Sequence, residues 1–214
     1  MSLQKDIYNK LKTAIIYGEL LPGEKLSEIE LAKKMNVSRT PIREVFRQLQ
    51  TESYLNVAPN KGAYVSKLSP DEIEEIYNIV GLLEGYAAEL TAQKIKDLEL
   101  KELKKLQKKL IFYASKKRYR DYVEENTKFH HLITRLSGNN NLLKIITELR
   151  TRIYRYRLMS VTIPGYLEKY AIEHEKIIDA LGERDSDRAR KYMKEHVDFV
   201  KKILVNFLNE NFGL

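Results

Sequence analysis

Val37-Ser38-Arg39-Thr40-Pro41-Ile42-Arg43-Glu44-Val45-Phe46-Arg47-Gln48-Leu49 is the stretch on which the fold of this 214-residue chain turns. Ile42, Val45, Phe46 and Leu49 recur at i, i+3, i+4 and i+7, which predicts one buried helical face. Ser38 stands before that run as a helix cap, and a proline at Pro41 is tolerated in a first turn. Arg39, Arg43 and Arg47 follow at four-residue spacing and predict a basic ridge beside the apolar face. Arg39 and Thr40 fall in the first turn, where backbone N–H groups and the helix dipole favour phosphate. Guanidinium forks also suit guanine O6 and N7, so such a helix is fitted to the major groove. Ser38, Arg39, Thr40, Arg43 and Arg47 are therefore the candidate contacts to double-stranded DNA.

The flanks support that reading. Upstream, Ile7, Leu11, Ile15 and Ile16 lie on one helical stripe of residues 4–17, which ends at Gly18. Leu21-Pro22-Gly23-Glu24 predicts a turn, and Ser27-Glu28-Ile29-Glu30 a capping box opening a second short helix with Leu31, Ala32 and Met35 as its apolar side. Two short helices joined by a tight turn make a helix-turn-helix. Downstream, Tyr54-Leu55-Asn56-Val57 and Ala63-Tyr64-Val65 predict two strands around Pro59-Asn60-Lys61-Gly62, a hairpin wing whose tip carries Lys61 and Gly62. The alternative, a solvated arginine face on an ordinary three-helix domain, explains one basic helix but not the ordered set. Residues 1–66 are read as a winged helix-turn-helix domain.

Charge alone decides little. The chain holds 38 Lys and Arg against 30 Asp and Glu, but residues 1–66 carry only +3 of the net +8. No cysteine is present, which excludes disulfides, thiolate zinc sites, iron–sulfur clusters and cysteine nucleophiles. Neither a signal peptide nor an apolar run of about 18 residues is visible, so a cytoplasmic protein with no membrane partner is expected.

A second domain is expected over 67–214. Ser69-Pro70-Asp71-Glu72 combines a Ser cap, Pro at the first helical position and Glu at the third. About six helices follow, over 70–96, 99–115, 118–137, 140–160, 166–181 and 185–211, making an all-α bundle and a mainly α chain. His130 borders the core stripe of the third, with Asn126 one turn earlier; His174 and His196 lie within the apolar faces of the last two. One inward histidine is usually a satisfied core residue; three on three helices point to convergence. Neutral imidazoles suit first-row divalent ions, zinc and nickel foremost, with coordination positions left open. His131 is turned by about 100° from its neighbour and is expected outside the site.

The string Gly18…Pro22-Gly23…Leu26-Ser27-Glu28…Leu31-Ala32…Val37-Ser38-Arg39-Thr40-Pro41-Ile42-Arg43-Glu44…Leu49…Gly62…Val65 resembles the winged helix of GntR-type transcription regulators. The resemblance implies Arg39 and Arg43 as main DNA contacts, with Lys61-Gly62 reaching the adjacent minor groove. Ile29 stands where several relatives place a further DNA-contacting arginine.

Residues Ile76-Tyr77 through Leu83-Glu84, Asn126…Phe129-His130, Gly138-Asn139, Glu173-His174…Ile177…Ala180-Leu181 and Ala189…His196 resemble the effector-binding FCD domain of the FadR branch of that family. That resemblance implies a divalent metal held by Asn126, His130, His174 and His196, and a small carboxylate effector beside it. Asn126 replaces the Asp of many members, and Val80 the arginine often assigned to the carboxylate; Arg152 or Arg155 is the expected substitute. Together these imply a homodimer on a near-palindromic operator, with half-sites about 34–36 Å apart. A metalloenzyme with an accessory N-terminal module is the alternative. No HExxH pattern supports it, and an RNA- or phospholipid-binding protein lacks the aromatic or amphipathic signals it needs.

Overall fold

The computed structural model describes residues 3–58 and 62–212. The chain divides into two compact units, Met1–Leu68 and Ser69–Leu214.

In the first unit, α1 (Leu3–Ile16), α2 (Glu28–Met35) and α3 (Arg39–Thr51) pack with a small antiparallel sheet of β1 (Lys25–Leu26), β2 (Leu55–Ala58) and β3 (Gly62–Val65). Ser27 caps α2, its side chain accepting from the Glu30 N–H, and Asn36 ends it in the left-handed conformation. Ile7, Leu11 and Ile15 of α1 meet Ile42, Val45, Phe46 and Leu49 of α3, all at most 3% exposed. Burying a side chain of this size contributes about 1.5–3 kcal/mol, so the predicted α3 face is what holds the unit together. The sheet order is β1-β3-β2, with Leu55 opposite Val65 and Val57 opposite Ala63. The two hairpin strands lie where expected. β1, pairing Lys25 with Tyr64, is an addition, because two residues leave no periodic signature.

The second unit is helical: α4 (Pro70–Ala92), α5 (Asp97–Ser115), α6 (Tyr119–Leu136), α7 (Asn140–Arg152), α8 (Tyr154–Thr162), α9 (Leu167–Gly182) and α10 (Ser186–Phe212). The Ser69–Glu72 capping box forms in both directions at the start of α4. Its Gly81 and Gly85 let α10 lie close: a Cβ at Gly85 would stand 3.1 Å from the Arg190 carbonyl oxygen, and one at Gly81 3.5 Å from Val197. α6 and α7 pack on other parts of α4, and α5 and α9 complete the bundle.

The expected helix over 140–160 is two helices, which makes seven among the described residues of this unit. Ile153 turns out of helical geometry (φ −98°, ψ 8°) and ends α7 before α8 begins. Neither Pro nor Gly marks the break. The buried Ile153 side chain, 1% exposed, is instead set into the core at that point. Among the described residues, no helix is long and apolar enough to cross a membrane.

Candidate nucleic-acid interface and metal centre

The ridge of α3 is open. Ser38, Arg39, Thr40, Arg43 and Arg47 are all exposed, while Ile42, Val45, Phe46 and Leu49 anchor the opposite face. Ser38 occupies the cap position in extended geometry, but its side chain makes no capping hydrogen bond. Pro41, third in the helix, has no N–H to give it, and the Thr40 N–H at the second position is not taken up either.

Glu28, at the start of α2, is the residue that sequence reading overlooked here. Its carboxylate takes Arg43 Nε at 3.3 Å, Arg43 Nη2 at 3.1 Å and Arg39 Nη2 at 3.3 Å. These guanidiniums hold its carboxyl below the usual range, against the opposing effect of partial burial. Arg47 pairs instead with Glu44 at 3.1 Å. Nothing local in the sequence marks Glu28 as their partner, since only the crossing of α2 over α3 brings it there. Gly62, at φ +97°, opens β3 in a conformation that favours glycine. Lys61 lies outside the described residues.

In the second unit, α6, α9 and α10 deliver His130, His174 and His196 to one point. Each is at most 3% exposed, and their ligand atoms lie within 4.8 Å of one another. His174 Nε2 and His196 Nε2 are 3.2 Å apart. A tetrahedral ion with nitrogen ligands at about 2.05 Å spaces them by roughly 3.3 Å, so this pair already stands near ligand spacing. Asn126 reaches His174 Nε2 with Nδ2 at 3.3 Å. His131 is exposed and outside the group.

Electrostatics keep the rings neutral. Burial and then Arg150 push His130 down to about 4, although Glu84 opposes them. Burial and the neighbouring imidazoles hold His174 well below its ordinary value, and burial with His130 does so for His196. Lone pairs are thus available at neutral pH. His130 Nδ1 lies 2.9 Å from Glu84 Oε2, and Arg150 grips the same carboxylate with Nε and Nη2. Burial disfavours the Glu84 charge, but Arg150 and His130 more than reverse this, and the group stays ionised far below its usual range. A carboxylate behind a ligand imidazole fixes its tautomer and orientation. Three buried, neutral, converging imidazoles, one backed by a carboxylate, are a donor set that fits a divalent ion.

A small cavity, partly open to solvent, adjoins the histidines. Tyr77, Asn126, His130 and His196 line it, and its cations are Arg150 and Arg157. Arg152 and Arg155, the expected cations, are not among its lining residues. Arg155 lies over the Tyr156 ring, 4.9 Å from its centroid. The i, i+7 spacing of Arg150 and Arg157, two turns apart, is the signal that could have found them. For Glu84 the signal is one carboxylate among buried Tyr77, Val80, Gly81, Ala87 and Ala88. Val80 is itself in the cavity wall and brings no charge.

Two family models match the chain: residues 3–65 fit that of the bacterial regulatory proteins of the gntR family, and residues 75–199 that of the FCD domain. Among similar proteins, the uncharacterized HTH-type transcriptional regulator YdhC of Bacillus subtilis is 29% identical over 206 residues, covering 95% of this chain and 91% of its own. The HTH-type transcriptional repressor RspR of Escherichia coli is 27% identical over 209 residues, covering 98% and 92%. Of solved structures, McbR/YncC of E. coli superposes with a TM-score of 0.80 at 26% identity, covering 98% of this chain and all of that one.

Proposed function

The chain belongs to the GntR family of bacterial regulators and carries an FCD domain, so it is a DNA-binding transcription regulator, and we propose that it is a homodimer whose operator affinity answers to a small anion bound beside a divalent metal. The observation that carries the reading is the convergence of His130, His174 and His196 at the wall of a cavity that also holds Arg150 and Arg157. Zinc or nickel suits three imidazoles, and Asn126 supplies a fourth ligand through Oδ1. When bound, such an ion contributes a Lewis-acidic position for a carboxylate oxygen. The chain's own part is to join α6, α9 and α10 at one point and to close the cavity with positive charge.

Residues 1–66 are the DNA-binding domain and 67–214 the effector domain. Arg39 and Arg43 contact bases, Ser38, Thr40 and Arg47 the flanking backbone, and the wing at Lys61 and Gly62 the adjacent minor groove. Dimerisation is supported by Ile79, Leu82 and Tyr86, one stripe along α4 that stays 41–56% exposed. A two-fold dimer then reads a near-palindromic operator.

His174→Ala and His196→Ala, singly and together, test the reading. Metal content by elemental analysis should fall to background while helicity persists, and a gel-shift titration should lose its dependence on added Zn²⁺ or Ni²⁺. Unchanged metal stoichiometry in the double variant would sink the ligand set.

A further inference from the structure

Arg157 is 6% exposed and sits in the cavity wall. Among the described residues, no carboxylate lies within ion-pair distance of it; Glu84, the cavity's carboxylate, is engaged by Arg150 and His130. Its guanidinium is charged at neutral pH, as arginine is throughout proteins. One of its five N–H donors is accounted for: Nη2 donates to Asn126 Oδ1 at 2.8 Å. A buried cation with so little compensation calls for an anion.

The Asn126 amide is constrained from both sides. Arginine can only donate, so Oδ1 must face Arg157 and Nδ2 must face His174 Nε2. His174 Nε2 therefore accepts, and the proton between His174 and His196 belongs to His196 Nε2. Donation runs from Arg157 to Asn126 and from Asn126 to His174. The lone pair at which it ends is one that a metal ligand must offer to the ion. Asn126 can join the same ion only through Oδ1, and turning the amide to do so sets its Nδ2 hydrogens against the Arg157 donors. The two arrangements exclude each other.

We propose that Arg157 is the receptor for the anionic group of the effector and that Asn126 gates it: Asn126 occupies Arg157 in the metal-free protein and releases it on turning its oxygen to the metal. The proposal rests on the metal-and-anion reading above and deepens it, placing on α8 the cation that Val80 does not supply on α4. Metal and carboxylate then bind cooperatively, and by linkage each raises the affinity of the other by the same factor.

Co²⁺ titrations of the full chain, followed by visible absorption, test this with succinate as the carboxylate probe and chloride at matched ionic strength as control. Wild type should load Co²⁺, and succinate should tighten that loading by about tenfold, the worth of one charge-assisted hydrogen bond. Arg157→Gln, with Asn126 freed in advance, should bind Co²⁺ about tenfold more tightly than wild type and show no gain from succinate. Arg157→Lys, which keeps the buried charge, should retain a smaller gain and guards against a folding defect in the first variant. A purely structural role for Arg157 weakens Co²⁺ binding instead, and that result overturns the gate. A succinate gain undiminished in Arg157→Gln, or absent in wild type that does load Co²⁺, overturns the receptor. Wild type that binds no Co²⁺ overturns the metal reading itself, which separates the two failures.

Discussion

Replacing Glu84 by Gln removes one negative charge from a place where two groups, Arg150 and His130, depend on it. Glu84 and His130 are each 1% exposed and Arg150 12%, so solvent screens little of the effect. The isosteric amide leaves Arg150 one neutral acceptor in place of two charged ones, and leaves it facing Arg157 without a counter-charge. Removing one partner of a buried pair typically costs 3–5 kcal/mol; with shape and one acceptor kept, roughly 3 kcal/mol is expected here. For a helical unit the size of 69–214 that lowers the melting temperature by roughly 6–12 °C. His130 loses the carboxylate behind Nδ1 as well, so Zn²⁺ affinity should fall roughly 10- to 100-fold. Calorimetric melting with and without Zn²⁺, together with competition titration of the metal, measures both effects. A melting shift below roughly 2 °C with unaltered Zn²⁺ affinity would refute the view that Glu84 organises this centre.

The metal-free protein should lose stability as pH falls from about 6.5 to about 4, because His130, lowered to about 4 in the fold, takes up its proton more readily once unfolded. By the lower end of that window the cost from this residue is roughly 3 kcal/mol, and His174 and His196 add to it; urea melts that stay flat across the window would contradict the neutral triad. Arg43→Ala should weaken operator binding roughly 10- to 100-fold in a salt-controlled gel shift, and an unchanged affinity would remove it from base reading. Glu28→Gln should free Arg39 and Arg43 and raise affinity for non-operator DNA several-fold; no change would mean that the carboxylate does not compete with phosphate. Leu82→Arg should convert the dimer to monomer in sedimentation, and a persistent dimer would place the interface elsewhere.

Helical periodicity served well wherever a helix runs unbroken. The buried face of α3, the capping box of α4 and the inward turn of His130, His174 and His196 all follow from a 3.6-residue repeat and local cap chemistry. It fails at Ile153, where tertiary packing ends a helix without Pro or Gly. The cavity cations show that periodicity is still usable across that point: Arg150 and Arg157, two turns apart, share the lining face, whereas Arg152 and Arg155 rest on no periodic argument. Glu28 and Glu84 escaped for a different reason. Their importance comes from partners 11 to 66 residues away, and a carboxylate's partner is set by helix crossings that no periodic pattern records.

The glycine seam of α4 bears on how the second unit moves. At Gly85 a Cβ would meet the Arg190 carbonyl of α10, and at Gly81 the short, branched Val197 side chain, so little compliant material separates the two helices there. Flexible side chains absorb displacement by changing rotamer; backbone against backbone has no such slack. α10 carries His196, and α4 turns Ile79, Leu82 and Tyr86 away to the outside. A shift of His196 on α10 therefore has little slack to vanish into before it reaches α4 and its outer stripe, like a tug on one rail of a ladder whose rungs have been cut short.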